Sequence, residues 1–113
     1  MTVVETPFFL RKAATLLDDE ERSALVAFIG ANPEVGQVIP ETGGARKVRW
    51  AAQGKGKSGG LRVIYYFYNE EFPLFLLTLY AKNQKANLTK AELNEFQRLI
   101  PILVKAYAKD RKP

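Results

Sequence analysis

Two segments rich in aliphatic and aromatic residues, Leu61 to Tyr68 and Leu74 to Ala81, flank the turn-forming stretch Asn69 to Pro73, and no other feature constrains the chain as strongly. Side chains of this kind suit a pleated, buried surface. With a short turn between them, the two segments predict an antiparallel hairpin. Upstream, Arg46-Lys-Val-Arg-Trp-Ala51 alternates, which puts Val48 and Trp50 on one face and Lys47 and Arg49 on the other, as a half-buried strand requires. A sheet built from these strands has an apolar face to cover, so the rest of the chain must supply helices.

It does so at both ends. Thr2 to Glu5 allows a short strand, and Thr6-Pro7 is an N-cap followed by proline at the first helical position. Phe9, Ala13, Leu16 and Leu17 then recur at helical spacing, so a first helix is expected from Pro7 to about Leu17. Asp18 with Glu21 opens a second helix, whose face is Leu25, Phe28 and Ile29 and whose end is Asn32-Pro33. The acidic cluster Asp18 to Glu21 reads as a helix-dipole device rather than a metal site. Near the C-terminus Thr89 and Glu92 form a capping box before Leu93, Phe96, Ile100, Leu103 and Tyr107. Pro101 interrupts that stripe, and a kink or early end is expected there, because a proline in a straight helix costs about 3 kcal/mol. The order is β-α-α-β-β-β-α: an α+β fold in which one antiparallel sheet is accompanied by two N-terminal helices and a C-terminal helix. At 113 residues the chain is expected to form one domain, residues 1–113.

The residue types that are missing narrow the chemistry. Without cysteine there is no disulfide, thiolate-held zinc or cysteine nucleophile, which fits a reducing cytoplasm. Without histidine the commonest proton shuttle and metal ligand is gone, so catalysis would have to use Lys, Arg, Tyr, Glu or Asp. No cofactor and no metal are expected. Leu74 to Ala81, the longest apolar run, is less than half the roughly 20 residues of a spanning helix, and neither a membrane span nor a signal peptide is read. Charge is unevenly spread. Residues 1–41 hold 3 basic and 7 acidic side chains, a net −4, whereas residues 42–113 hold 14 basic and 5 acidic, a net +9. A basic surface of that kind suits nucleic acid or an acidic protein.

The densest local signal is Gly54-Lys-Gly-Lys-Ser-Gly-Gly60, followed by Leu61 and Arg62. Glycines allow the backbone close to a phosphate, and Lys55 and Lys57 add charge. A nucleotide-binding phosphate loop would need glycine where Ala51 stands and a helix afterwards, but a strand follows. A glycine-rich connection with solvated lysines is the plain alternative. If the hairpin pairs so that residue numbers sum to about 144, Arg62 faces Lys82, Ile64 faces Tyr80 and Tyr66 faces Thr78. Like charges opposed in this way destabilise a sheet and suggest an anion site, unless both cations simply point apart into water. With Lys55 and Lys57, four cations would converge.

That cluster suits RNA cleavage without histidine, because attack of a ribose 2′-hydroxyl on its phosphate builds negative charge that fixed cations stabilise. Arg62 can act only electrostatically, since guanidinium keeps its proton. Lysines crowded by other cations titrate lower, so Lys57 and Lys82 are the proton-transfer candidates. Lys47 and Arg49 would track the RNA backbone, and Tyr80 would stack on a base or share a proton, unless it is simply a core aromatic.

The stretches Thr42 to Arg49, Gly54 to Phe67, Leu77 to Asn83 and Leu88 to Leu93, in that order, together resemble HigB-type toxins of the RelE/ParE superfamily. The resemblance implies a RelE-like fold and a type II toxin that cuts mRNA on the ribosome as an endoribonuclease and blocks translation. It also implies neutralisation by a cognate antitoxin with a helix-turn-helix DNA-binding domain. The family's catalytic basic residues match Lys55, Lys57, Arg62 and Lys82. RelE-like enzymes often have arginine where Lys82 stands and use a tyrosine of the last helix, and Tyr107 is the residue to test. Two alternatives stay open: a toxin of this fold acting as a protein ligand, in the manner of gyrase-directed ParE, and a non-catalytic RNA- or ribosome-binding module.

Overall fold

The hairpin is the centre of a five-stranded sheet. The structure is a computed structural model that describes residues 1–51 and 60–110, of the last two the backbone only. The chain runs β1 (Val3–Glu5), α1 (Pro7–Leu16), α2 (Asp19–Ala31), β2 (Gln37–Val38), β3 (Ala45–Trp50), β4 (Leu61–Tyr66), β5 (Leu74–Ala81) and α3 (Lys90–Asp110). Strand order is β1-β5-β4-β3-β2. This is the expected α+β fold with two additions. A two-residue β2 edges the sheet, and β1 lies parallel to β5, Val3 beside Leu74 and Glu5 beside Leu76, so the sheet is mixed.

Thr6 explains how a three-residue strand holds its place. Its hydroxyl donates to the Leu76 carbonyl at 2.8 Å and accepts from the Phe9 N–H at 3.2 Å, so one side chain ends β1 and caps α1. α2 opens on the Asp18–Glu21 capping box, complete in both directions.

Period-two alternation sends β4 side chains to two different cores. Leu61, Val63 and Tyr65 join Phe9, Ala13, Leu17, Leu25 and Ile29 of the α1–α2 side. Ile64 and Tyr66 join Phe96 and Ile100 of α3 on the other side. Burying each of the large side chains is worth about 1.5–3 kcal/mol, and this attaches helices to both faces. Tyr65 does more. Its hydroxyl donates to the Pro33 carbonyl and accepts from the Gly36 N–H, both at 2.8 Å, which pins the loop after α2 beneath the sheet. A Cβ on Gly36 would lie 2.9 Å from that ring, so only glycine fits there.

The hairpin register departs from the expectation. Leu61 pairs with Ala81, Arg62 with Tyr80 and Ile64 with Thr78, so residue numbers sum to 142; beyond an irregularity after Ile64, Tyr65 pairs with Leu76 and Tyr66 with Phe75. Arg62 therefore faces Tyr80 rather than Lys82, and Tyr66 faces Phe75 rather than Thr78. Two features set this register. Asn69 builds a tight turn by accepting the N–H groups of Glu71 and Phe72 on its side-chain oxygen. Leu77 is then an extra residue in β5, a bulge after which the alternation resumes one residue later, so Phe75, Leu77 and Tyr80 all join the α3 core and Thr78 shares the face of its partner Ile64.

α3 also differs from expectation, because it continues through Pro101 to Asp110. Pro101 is on the exposed side, while Ile100 is buried and Leu103 and Val104 pack on the sheet beyond it. Packing on both sides of the proline carries the helix across the lost hydrogen bond.

Candidate functional site

Phe96 and Ile100 of α3 pack with Ala45, Ile64 and Tyr80 on one face of the sheet, and Lys47, Arg49 and Arg62 lie on that face outside this cluster. Arg49 of β3 and Arg62 of β4 are direct cross-strand partners, and Tyr80 of β5 is the partner of Arg62 on its other side. Lys47 follows one step along β3 on the same face, opposite Ile64. The like-charge opposition expected for Arg62 and Lys82 is thus realised by Arg49 and Arg62. Like charges at paired strand positions are unfavourable, and an anion bound near them would relieve that. Beside them lies a hollow of about 280 Å³, lined by Val35, Gln37, Lys47, Val48, Arg49 and Arg62. Arg49 is exposed and Lys47 and Arg62 are half-buried.

Lys82 stands just past the end of β5. Its N–H bonds the Gly60 carbonyl at 3.1 Å, and its exposed ammonium donates to Ala86 O at 3.3 Å, which folds the turn after β5 toward the same end of the sheet. It is diagonal to Arg62 rather than opposite it. Lys55 and Lys57 lie outside the described residues. The chain leaves the described part at Ala51 and rejoins it at Gly60, with φ of +60°, both at the Arg49–Arg62 end.

Tyr80 is 6% exposed and packs among Ile64, Phe96 and Ile100. Burial raises the pKa of its phenol, Arg62 lowers it and Glu92 raises it further, so the group stays protonated. Arg46, on the opposite face of β3 from Lys47, donates to the carbonyls of Glu34 and Gly36 and holds the α2–β2 loop.

Sequence reasoning passed over Lys85. It forms an ion pair with Glu92 at 2.5 Å and lies 5.4 Å from the centroid of the Tyr80 ring. The available signal was Glu92, which was read only as a cap. Tyr107 is settled by contact: its ring lies 5.1 Å from that of Phe72, in the hairpin turn. That turn is at the opposite end of β4 from Arg62, so the tyrosine of the last helix is not beside the cationic row.

A β-α-α-β-β-β-β-α chain with cations on an open sheet face finds its counterpart among known families. Residues 9–111 match the family model described as the RelE toxin of the RelE / RelB toxin-antitoxin system. The chain belongs to the RelE toxin family. RelE membership makes it the toxin of a toxin–antitoxin pair, implies an antitoxin partner and places it among toxins that are generally endoribonucleases. Among the described residues, no helix of this RelE toxin is long and apolar enough to cross a membrane.

Proposed function

We propose that this RelE toxin is of the HigB type and cleaves translated mRNA on the ribosome, in the cytoplasm and without a metal ion. We further propose that a cognate antitoxin carrying a helix-turn-helix DNA-binding domain silences it. The observation that supports the nuclease reading best is the Arg49–Arg62 pair beside the open hollow. A protein ligand has no need to oppose two guanidiniums, whereas a phosphate in transit to a dianionic phosphorane has.

In the reaction, the 2′-oxygen forms a bond to the adjacent phosphorus and the 5′-oxygen leaves, which yields a 2′,3′-cyclic phosphate. The 2′-hydroxyl proton goes to a base, and an acid protonates the leaving oxygen. Arg62 stabilises the phosphorane, Lys55 of the β3–β4 connection adds charge, and Lys57 and Lys82 supply the proton transfers. Lys47 and Arg49 hold the RNA backbone, and Tyr80 flanks Arg62. With so few proton-transfer groups, the chain relies on the ribosome to orient the 2′-hydroxyl and phosphate, a contribution of roughly 7 to 11 kcal/mol in favourable cases.

Inducing the chain in growing cells and mapping mRNA 5′ ends tests this. New ends inside translated frames, lost when initiation is blocked, are expected, together with poor cutting of naked RNA. Growth arrest with intact mRNA overturns the reading.

A further inference from the structure

Three side chains outside the proton-transfer set lead by contact to the strand position paired with Arg62. Tyr80 is the cross-strand partner of Arg62, and its hydroxyl is buried without a hydrogen-bond partner. The Lys85 ammonium lies over the Tyr80 ring and is paired with Glu92 Oε2. The other carboxylate oxygen of Glu92 accepts the Thr89 N–H at 2.7 Å, and Thr89 Oγ1 accepts the Glu92 N–H at 3.1 Å, closing the cap of α3. A line of side-chain contacts therefore runs from the first turn of α3 to Tyr80, the cross-strand partner of the arginine of the cationic row.

This ion pair is unlike an ordinary surface one. An exposed lysine keeps its ammonium in water and gains little from a carboxylate. Here both side chains are largely covered, with 28% and 30% of their surfaces exposed. The backbone also fixes where Lys85 starts, since its N–H bonds the Ala81 carbonyl at 3.1 Å. A charge placed over an aromatic face attracts the ring and restrains it. Glu92 neutralises that charge within a region that already holds Arg49, Arg62 and Lys82.

We propose that Lys85 and Glu92 are positioning residues of the cationic site: the neutralised ammonium of Lys85 clamps the Tyr80 ring, and the ring seats Arg62 toward the scissile phosphate. Neither residue touches the RNA. This inference rests on the nuclease reading above. It assigns a function to a buried tyrosine that has no hydrogen-bond partner, and it explains why a helix cap and an ion pair share one glutamate.

Glu92→Gln separates the two functions of that glutamate, because glutamine still accepts the Thr89 N–H while losing the charge. Lys85→Met keeps the apolar stem, and Lys85→Arg keeps the cation. Each is to be assayed for kcat and KM on ribosome-bound mRNA, for melting, and for titration of the Tyr80 phenol by ultraviolet absorbance with Tyr80→Phe as the blank. Glu92→Gln and Lys85→Met should each lower kcat about tenfold, a modest orientation loss. KM should not rise in Glu92→Gln, Lys85→Arg should restore most of kcat, and melting should change little. Because Glu92 raises the Tyr80 pKa, Glu92→Gln should move that titration downward.

Unchanged kcat in both variants overturns the proposal, as does a loss that merely follows the folded fraction or that Lys85→Arg fails to restore. An unshifted Tyr80 titration in Glu92→Gln overturns the clamp even when kcat falls. Arg62→Ala, run alongside, tells the two failures apart. If wild type cuts nothing, or Arg62→Ala cuts fully, the nuclease reading has failed and the clamp falls with it. If only the Lys85 and Glu92 variants behave as wild type, the nuclease reading stands and the clamp alone is wrong.

Discussion

The α3-facing side of the sheet ends in aromatic rings at one end of β4 and in cations at the other. At the hairpin end Tyr66 stacks on Tyr68 with centroids 6.4 Å apart, Tyr68 meets Phe72 edge-on at 5.0 Å, and Phe72 meets Tyr107 at 5.1 Å. Each contact adds about 0.5–1.5 kcal/mol beyond area burial and ties the last turns of α3 to the hairpin. At the other end Arg49 and Arg62 oppose each other, and Lys47 and Lys82 lie close by, an arrangement that weakens the strand pair. One strand thus carries favourable packing at one end and unfavourable charge at the other. A chain keeps such a cost where an incoming anion removes it, which separates stability and activity along about 20 Å of β4, at the usual rise per strand residue.

Breaking the cationic end should have the largest effect on activity. Arg62→Ala is expected to lower ribosome-dependent cleavage by about 10² to 10³, roughly 3 to 4 kcal/mol in the transition state. Its melting temperature should hold or rise slightly, since a like-charge opposition is relieved. Arg62→Lys should recover only part of the rate, because a point charge cannot grip two phosphate oxygens. Full toxicity from a folded Arg62→Ala protein would show the assignment to be wrong.

Beneath the opposite face the comparison reverses. Tyr65→Phe strips the partner from both the Gly36 N–H and the Pro33 carbonyl. Stability measured in denaturant should fall by about 1–3 kcal/mol, with cleavage per folded molecule unchanged. A selective loss of cleavage would mean that the loop, not only the sheet, shapes the site.

Tyr107→Ala sharpens the contrast at the aromatic end. It should cost about 1–2 kcal/mol of stability through lost packing against Phe72, while leaving kcat alone. A drop in kcat at equal folding would bring the terminal helix into the chemistry and erase the division between the two ends.

The smallest effect concerns pH. Burial alone would raise the pKa of Glu92, but hydrogen bonds from Lys85 and Thr89 and the Lys85 charge outweigh it and hold the carboxyl below its ordinary value of 4.5. A depressed carboxylate stabilises the fold above its unfolded pKa, and this contribution is lost as pH falls through the folded one. Wild type should therefore lose slightly more stability than Glu92→Gln below about pH 4.5, by no more than about 1 kcal/mol. Parallel acid melting curves for the two proteins would remove Glu92 from the account.

Local rules account for most of the elements. The Asp18–Glu21 and Thr89–Glu92 boxes, the Thr6-Pro7 start and the alternation of β3 depend on neighbours within a few residues, so they are legible in the chain and recur in the fold. Parity puts Lys47 and Arg49 on one face of β3 for the same reason, and the register of β3 against β4 is what adds Arg62 to it. Lys55 and Lys57 fall outside the described residues.

What the sequence determined by itself was where the three helices and the strands β1, β3, β4 and β5 begin, because period and capping are properties of short segments. What only the tertiary structure decided was who meets whom. The turn at Asn69 and the Leu77 bulge together set a residue sum of 142 at Arg62, which puts Tyr80 rather than Lys82 opposite it. The sheet and its cover carried α3 through Pro101 and took Tyr107 to the far end. The hairpin and α3 placed Lys85 and Glu92 on Tyr80. Each of these outcomes depends on packing between segments distant in sequence, which no local period encodes.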